Sequence, residues 1–132
     1  MVEAYKLACF KVLIEDNFLL RLDEINQQLV RLFAMDRVKS AAFITACNPF
    51  SQPTTDKENS AAQAKIEAEI KSFNLKFYPG QGEDLTGHWA AESSALVMGI
   101  SLEQATLLGV KYQQNAIVWI GHDAKPQLLL LR

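Results

Sequence analysis

Cysteine is scarce in this 132-residue sequence, and the residue types that bind metal ions do not cluster. The two cysteines, Cys9 and Cys47, lie far apart, and neither belongs to a C-x-x-C pair or to a Cys/His cluster with zinc spacing. The two histidines, His88 and His122, are isolated from each other and from both cysteines. We therefore expect no metal site and no cofactor, and we expect both cysteines to be thiols in a reducing cytoplasm.

An excess of charge of one sign and long apolar runs are also missing. The 13 basic and 15 acidic residues give a formal net charge of −2, and the basic residues are scattered, so we expect no nucleic-acid partner. The longest aliphatic run, residues 128–131, is far shorter than the ~20 residues that cross a bilayer. The start of the chain, MVEAYKLACF, does not resemble a signal peptide. We therefore expect no membrane partner and a cytoplasmic location.

What remains is the composition of a compact globular domain, with 49% hydrophobic and 21% charged residues. No internal repeat and no linker rich in proline, glycine or serine divides the chain. A chain of this length buries roughly two thirds of its unfolded surface without a disulfide or a metal. We therefore expect a single globular domain over residues 1–132.

The spacing of apolar residues predicts seven strands and three helices in the order ββαβαββαββ. The strands are expected at residues 9–14, 18–22, 41–45, 76–78, 94–100, 116–120 and 127–131. Asp23 is expected to cap the first helix, and the capping-box spacings at Thr55 and Ser101 predict the starts of the other two. The predicted fold class is α/β, with α+β as the alternative: a mixed sheet with terminal β-hairpins, covered by three helices.

Helical spacing also predicts which side chains the first two helices bury. These are Ile25, Leu29, Leu32 and Phe33 in the first helix, and Ala62, Ile66, Ile70 and Phe73 in the second. After the strand at 76–78, residues 80–87 are expected to form a glycine-rich surface loop. The loop matches neither a Walker A motif nor G-x-G-x-x-G, so a flexible connection is favoured over a phosphate cradle.

The segment from Asn48 to Thr55 is the first candidate binding site. It contains two prolines and several polar residues, and it connects a buried strand to a helix N-terminus. Ligands of α/β proteins bind beyond the carboxyl ends of strands, and a helix N-terminus offers free N–H groups to an anion. Ser51 and Thr54 can add side-chain donors. The structural alternative is that these residues only form turns and a helix cap.

Two other polar segments border predicted strands. Glu92 and Ser94 lie at the start of an apolar run, where Glu92 is either a general base or a solvated carboxylate at a strand edge. Three consecutive amides, residues 113–115, separate the third helix from the next strand. Asparagine adopts the left-handed conformation that ends many helices, whereas glutamine has no such preference, so Gln114 is the more suggestive residue.

Cys47 is also tested as a nucleophile. A thiol needs a base to act in this way, and His88 is the partner considered. The structural alternative, which we favour, is that Cys47 fills a small apolar space at the end of a strand.

The segment ITACNPFSQPTTDKEN resembles the bacterial domain-of-unknown-function family 3293. The resemblance rests on T-A-x-N-P, a Ser/Thr-rich loop, E-N at a helix start and short motifs farther along the chain. The matching residues are Thr45, Ala46, Asn48, Pro49, Ser51, Glu58, Asn59, Tyr78, Pro79, Gly80, Gly82, Gly87, Trp89, Glu92, Ser94, Gln114 and Ala116. Gln113 stands where the family's glycine is expected, and Cys47 occupies the variable position of the first motif. The resemblance carries no established activity.

The resemblance singles out polar residues on separate loops. These are Asn48, Ser51, Asn59, Glu92, Ser94 and Gln114. If the loops meet at one end of the sheet, they form a pocket rich in amides and hydroxyls with one carboxylate. We expect the five uncharged residues to bind a ligand there, and Glu92 is the candidate catalytic residue.

Three functional hypotheses remain open. The first is a domain that binds a small polar or nucleotide-like metabolite, with an anionic group at the helix N-terminus after Thr55. The second is a hydrolase or transferase in the same pocket, with Glu92 as the general base that activates water. The third is a protein-interaction module with Trp89 as an exposed contact residue, and a homodimer is compatible with it.

Overall fold

The computed structural model describes residues 8–84 and 91–131. The strands in these ranges are β1 (Ala8–Val12), β2 (Phe18–Leu20), β3 (Ala41–Ile44), β4 (Phe77–Asp84), β5 (Glu92–Met98), β6 (Ala116–Ile120) and β7 (Pro126–Leu130). The helices are α1 (Gln27–Asp36), α2 (Asp56–Ser72) and α3 (Leu102–Lys111), and a 3-10 turn spans Pro49–Ser51. The predicted order ββαβαββαββ is confirmed. No helix within these ranges is long and apolar enough to span a bilayer.

The seven strands form one sheet in the order β2-β1-β4-β5-β3-β6-β7, and each of these pairings is antiparallel. The α/β class and the two terminal hairpins are thereby confirmed. Helix α2 connects β3 to β4, and α3 connects β5 to β6; in each case one antiparallel strand lies between the connected strands. The connected strands run in the same direction without being neighbours. The described pairings are therefore all antiparallel and not mixed as predicted, because another strand is inserted between the two strands that each helix connects.

An apolar cluster covers each face of the sheet. On β5, Leu96 and Met98 belong to one cluster, while Ala95 and Val97 belong to the other, as the alternation of side chains along a strand requires. Helix α1 closes the first cluster with Leu29, Leu32 and Phe33. Helices α2 and α3 close the second with Ile66, Ile70, Ala105 and Leu108. The three helices and the sheet therefore form three layers.

The two capping residues predicted for α2 and α3 are confirmed. The Thr55 hydroxyl accepts a hydrogen bond from the Glu58 N–H at 3.1 Å, and Ser101 and Gln104 form a reciprocal capping box. The prediction for α1 is wrong, because Asn26 caps this helix by accepting from the Leu29 N–H at 2.9 Å. Asp23 instead adopts a left-handed turn conformation three residues earlier.

The predicted apolar stripes are correct in their centres and wrong at their ends. Leu29 and Ile66 are fully buried, whereas Ile25 is 59% exposed and Phe73 is 40% exposed. Ile25 precedes the cap of α1, and Phe73 is the C-cap residue of α2, so both lie outside the regular helical turns. The helical spacing of 3.6 residues per turn does not apply there.

Each helix is followed by a non-glycine residue in the left-handed conformation. These residues are Arg37, Asn74 and Gln113, with φ values of 57°, 59° and 58°. After α3, the Gln113 N–H donates to the Val110 carbonyl and the Gln114 N–H donates to the Gly109 carbonyl, which is a Schellman motif. Gln113 thus takes the conformation that glycine adopts most easily, at the position where the resemblance leads us to expect a glycine.

The predicted glycine-rich loop is wrong for residues 80–84, which belong to β4. A Cβ atom at Gly80 would lie 2.6 Å from Cε2 of Phe43 and 2.9 Å from the Lys11 carbonyl oxygen. The glycine therefore allows the Phe43 ring to pack against a central strand. The rest of the predicted loop, residues 85–87, lies outside the described residues.

Candidate functional site

The connection between β3 and α2 has an unusual backbone. Asn48 and Phe50 both adopt the left-handed conformation, with φ values of 47° and 55°. The Phe50 N–H donates to the Gln113 carbonyl at 2.6 Å, which joins this connection to the turn after α3. Five other described non-glycine residues, in turns and after helices, share the left-handed conformation, so the distinguishing feature of this connection is its hydrogen bond to the turn after α3.

Asn48 and Asn59 form a double hydrogen bond between the loop and α2. The Asn48 backbone N–H donates to Asn59 Oδ1 at 2.9 Å, and Asn59 Nδ2 donates to Asn48 Oδ1, also at 2.9 Å. Thr54 adds two bonds to the same pair: its N–H donates to Asn48 Oδ1 and its hydroxyl donates to Asn59 Oδ1. These bonds fix the strained loop against the first turn of the helix.

Glu92 is the first residue of β5 and is partly buried. Its Oε2 accepts a hydrogen bond from Asn48 Nδ2 at 2.7 Å. Burial raises the pKa of the Glu92 carboxyl, and the hydrogen bond from Asn48 opposes this rise. Glu92 is therefore not the solvated strand-edge carboxylate of the structural alternative.

Ser94 and Gln114 hold backbone segments that border Glu92. The buried Gln114 donates from Nε2 to the Cys47 carbonyl at 3.0 Å and to the Tyr112 carbonyl at 3.2 Å. The buried Ser94 hydroxyl donates to the Glu92 carbonyl at 3.0 Å. Both side chains therefore stabilise the backbone on either side of the Asn48–Glu92 contact.

Two cavities adjoin this contact, and Asn48 and Glu92 line both. The larger is an open cleft of about 680 Å³ between the loop, α2 and the start of β5, and it is also lined by Asn59. The smaller is an inner cavity of about 70 Å³, lined by Ser94 and Gln114 as well. We call them the open cleft and the inner cavity. Five of the six polar residues singled out in the sequence therefore meet at two adjoining cavities.

The remaining candidates cannot be placed in this way. The side chain of Ser51 lies outside the described residues, and so do His88 and Trp89. The alternative of a contact between Cys47 and His88 and the hypothesis of an exposed Trp89 therefore stay hypotheses.

Cys47 itself has the surroundings of a structural thiol. It is 4% exposed, and its Sγ donates to the Ser93 carbonyl at 3.5 Å. Burial and the nearby charge of Glu92 raise its pKa, although its hydrogen bond with Thr45 opposes the rise. A nucleophilic cysteine needs a lowered pKa, so these surroundings disfavour that role.

Gln63 is a site residue that the sequence analysis missed. It is 5% exposed on α2, its Oε1 accepts from the Ala46 N–H at 3.0 Å, and its Nε2 donates to Glu67 Oε2 at 3.2 Å. Asn59, Gln63 and Glu67 follow one another at intervals of four residues and all line the open cleft. This polar spacing on one helix face was visible in the sequence and could have identified Gln63.

The described lining of the open cleft is acidic. It contains the carboxylates of Asp56, Glu67 and Glu92, and no lysine or arginine occurs among the described residues that line it. Within the same described part of the chain, no group of three or more His, Cys, Asp or Glu residues is arranged to hold a metal ion. The cleft thus offers hydrogen-bond partners and negative charge.

The comparisons with known proteins concern the same region. The model of a family described as "Protein of unknown function (DUF3293)" matches residues 44–117, a segment that contains all six polar residues singled out in the sequence. Neither the curated proteins nor the solved structures include a match. Because the matched segment covers more than half of the 132 residues, the chain belongs to the DUF3293 family.

Proposed function

We propose that this protein binds a small polar molecule in the open cleft and that Glu92 is its central recognition group. The observation that carries this proposal is the contact between Asn48 Nδ2 and Glu92 Oε2 at 2.7 Å, which lies between the open cleft and the inner cavity. A partly buried carboxyl held by a fixed amide is a typical polar anchor of a ligand site. The cleft, at about 680 Å³, has the size of a small-molecule site, roughly 300–1,000 Å³.

The charges favour a neutral or cationic ligand. Asp56, Glu67 and Glu92 would repel a phosphate group in the cleft. The N-terminus of α2 offers little to an anion, because Asp56 and Glu58 already lie in its first turn and Thr55 already binds the Glu58 N–H. We therefore narrow the ligand to polar molecules without phosphate, such as amines, nucleosides or sugars.

A thermal-shift screen sorted by ligand charge tests this proposal. Neutral and cationic metabolites should raise the melting temperature, and a ligand at ~100 times its dissociation constant adds about 2.7 kcal/mol of stability. Titration calorimetry should then show that Glu92→Gln weakens binding of the same ligand. Glu15→Gln, which changes an exposed carboxylate in the β1–β2 turn, is the matched control and should bind normally.

Three results would refute the proposal. The first is a screen in which no neutral or cationic metabolite stabilises the protein. The second is stabilisation by phosphate-bearing ligands alone. The third is a ligand that binds the wild-type and Glu92→Gln proteins equally well.

One observation favours catalysis as the second candidate function. The pKa of Glu92 is raised by burial, which makes a carboxylate a better general base near neutral pH. A hydrolase or transferase would therefore use Glu92 to deprotonate water or a ligand hydroxyl. Product analysis with each ligand found in the screen distinguishes the two functions, because a binding domain returns the ligand unchanged.

We propose a bacterial cytoplasm as the setting, in line with the family resemblance. The two cysteines, Cys9 and Cys47, are buried and free, and burial raises the pKa of both thiols. Stable thiols of this kind suit a reducing compartment.

A further inference from the structure

The orientation of the Asn48 side-chain amide is determined by its neighbours. A backbone N–H can only donate, so the atom of Asn48 that receives the Thr54 N–H at 3.1 Å must be the oxygen Oδ1. The same reasoning applies to Asn59, whose Oδ1 receives the Asn48 backbone N–H at 2.9 Å. Both amides are therefore assigned from backbone donors.

This assignment decides what Asn48 presents to Glu92. Asn48 Oδ1 accepts from Asn59 Nδ2 at 2.9 Å in addition to the Thr54 N–H. The NH₂ group is consequently turned the other way, toward Glu92 Oε2 at 2.7 Å. Asn59 on α2, Asn48 on the loop and Glu92 on β5 thus form a chain of side chains that crosses three separate elements.

We propose that Asn59 is a positioning residue for Glu92: it acts through Asn48, whose side-chain NH₂ it holds toward the carboxylate. Asn59 binds Asn48 twice, once at the backbone and once at the side chain. The first bond supports the left-handed backbone of Asn48, and the second, together with the Thr54 N–H, holds its side-chain amide in this orientation. The inference rests on the proposed function only where it treats Glu92 as the group that meets a ligand.

Loss of Asn59 has a specific consequence for Glu92. Without Asn59, the Asn48 side chain keeps only the Thr54 N–H as a partner for Oδ1, and its backbone N–H loses its acceptor. The amide is then held toward the carboxyl less firmly, and its hydrogen bond to Glu92 weakens. A hydrogen bond donated to a carboxylate favours the charged form, so its loss raises the pKa of Glu92 further.

The experiment is an NMR titration of the Glu92 side-chain carboxyl in the ligand-free protein. The variants are Asn59→Ala, Asn48→Ala and the double variant, and the spectrum of Glu92→Gln assigns the resonance. Thr55→Ala is the matched control, because it removes the cap of the same helix without touching the Asn48–Asn59 pair. The titratable groups that line the open cleft among the described residues, Cys47, Asp56 and Glu67, are unchanged in all variants.

The expected result is an upward shift of the Glu92 pKa in Asn59→Ala and in Asn48→Ala, with no further shift in the double variant. The absence of a further shift in the double variant means that Asn59 acts only through Asn48, because two independent effects would give a pKa shift equal to the sum of the single shifts. Thr55→Ala should titrate like the wild type. An unchanged pKa in Asn59→Ala, additive shifts in the double variant, or an equal shift in Thr55→Ala would overturn the inference.

A second variant keeps the test decisive if Asn59→Ala does not fold. Asn59→Gln retains an amide but places it one methylene farther from the helix, so it cannot keep the same bonds to Asn48; the same upward shift is expected. Because the titration uses no ligand, its outcome is independent of the proposed function. If ligand binding requires Glu92 but the Glu92 pKa is the same in Asn59→Ala as in the wild type, this inference is refuted while the proposed function is kept.

Discussion

Strand β5 carries polar side chains at one end and apolar side chains at the other, on the same face of the sheet. Every second residue of a strand points to the same side, and on this side of β5 the residues are Glu92, Ser94, Leu96 and Met98. Leu96 and Met98 are buried in the cluster closed by α1, whereas Glu92 and Ser94 line the inner cavity. The same face of β5 therefore belongs to the apolar core at one end of the strand and to the candidate site at the other.

Coverage by α1 accounts for the difference. This helix contributes Leu29, Leu32 and Phe33 to the apolar cluster and none of the described residues that line the inner cavity. The polar end is instead bordered by the β3–α2 loop and by Gln114, whose side chains form hydrogen bonds. Partly buried polar groups remain there because each has a partner.

Truncation at the apolar end should have the largest effect on stability. Leu96 is fully buried, so Leu96→Ala should lower the free energy of unfolding by about 2–5 kcal/mol, as cavity-forming substitutions do. Ser94→Ala, at the polar end of the same face, removes one hydrogen bond to the Glu92 carbonyl and should cost about 1 kcal/mol. Urea denaturation followed by circular dichroism measures both. Equal costs for the two variants would break the contrast between the two ends.

The neighbouring strand β4 allows a paired test of similar design. A Cβ atom at Gly80 would lie 2.6 Å from the Phe43 ring, so Gly80→Ala should destabilise by about 1–3 kcal/mol. At Gly82, which lines the inner cavity, the nearest atom of a described residue to a Cβ is Ser94 Oγ at 4.0 Å. Gly82→Ala should therefore be neutral or stabilising by up to about 1 kcal/mol, because alanine restricts the unfolded chain. Thermal melting curves measure both variants, and a lower melting temperature for Gly82→Ala than for Gly80→Ala would contradict this prediction.

The smallest expected effect is electrostatic and depends on pH. Burial raises the pKa of Glu92 in the native state, so between the ordinary glutamate pKa and the raised value the native protein holds a proton that the unfolded chain has lost. Stability should therefore fall as pH rises through that window. The glutamine of Glu92→Gln cannot ionise, so the free energy of unfolding of this variant should exceed that of the wild type at neutral pH. The gain should be smaller than the loss expected for Leu96→Ala.

Urea denaturation at several pH values from acidic to neutral measures this difference. Glu15→Gln, at an exposed position, serves as the control and should run parallel to the wild type throughout. Parallel curves for Glu92→Gln and the wild type would show that Glu92 is solvated like a surface carboxylate.

The sequence predicted the elements well where the signal is local. Thr55 and Ser101 cap their helices as expected because a cap requires only neighbouring residues. The prediction of β4 was too short because Pro79 and Gly80 are turn residues by local rules, whereas the strand continues through them. The strand continues because β4 pairs with both β1 and β5 at these residues, and glycine at position 80 leaves room for the distant ring of Phe43.

The candidate site was also predictable from the sequence only in part. Asn48, Asn59 and Glu92 could be singled out because polar residues at these positions, and the resemblance that includes them, are visible in the chain. The contacts between them could not be predicted, because the three side chains come from a loop, a helix and a strand that are separated by up to 44 residues. Gln63 was missed because a glutamine inside a helix has no distinctive local signal unless the spacing of Asn59 and Glu67 is considered with it.

The sequence by itself thus determined the order of the elements, the starts of two helices and the identity of the polar residues, since these depend on composition and on neighbours along the chain. Only the tertiary structure decided that Glu92 is a partly buried carboxyl held by Asn48, and that Asn59 stands behind Asn48. The physical reason is that burial and hydrogen-bond direction arise when separate elements pack together. Strand pairing in the sheet brings those elements to one place.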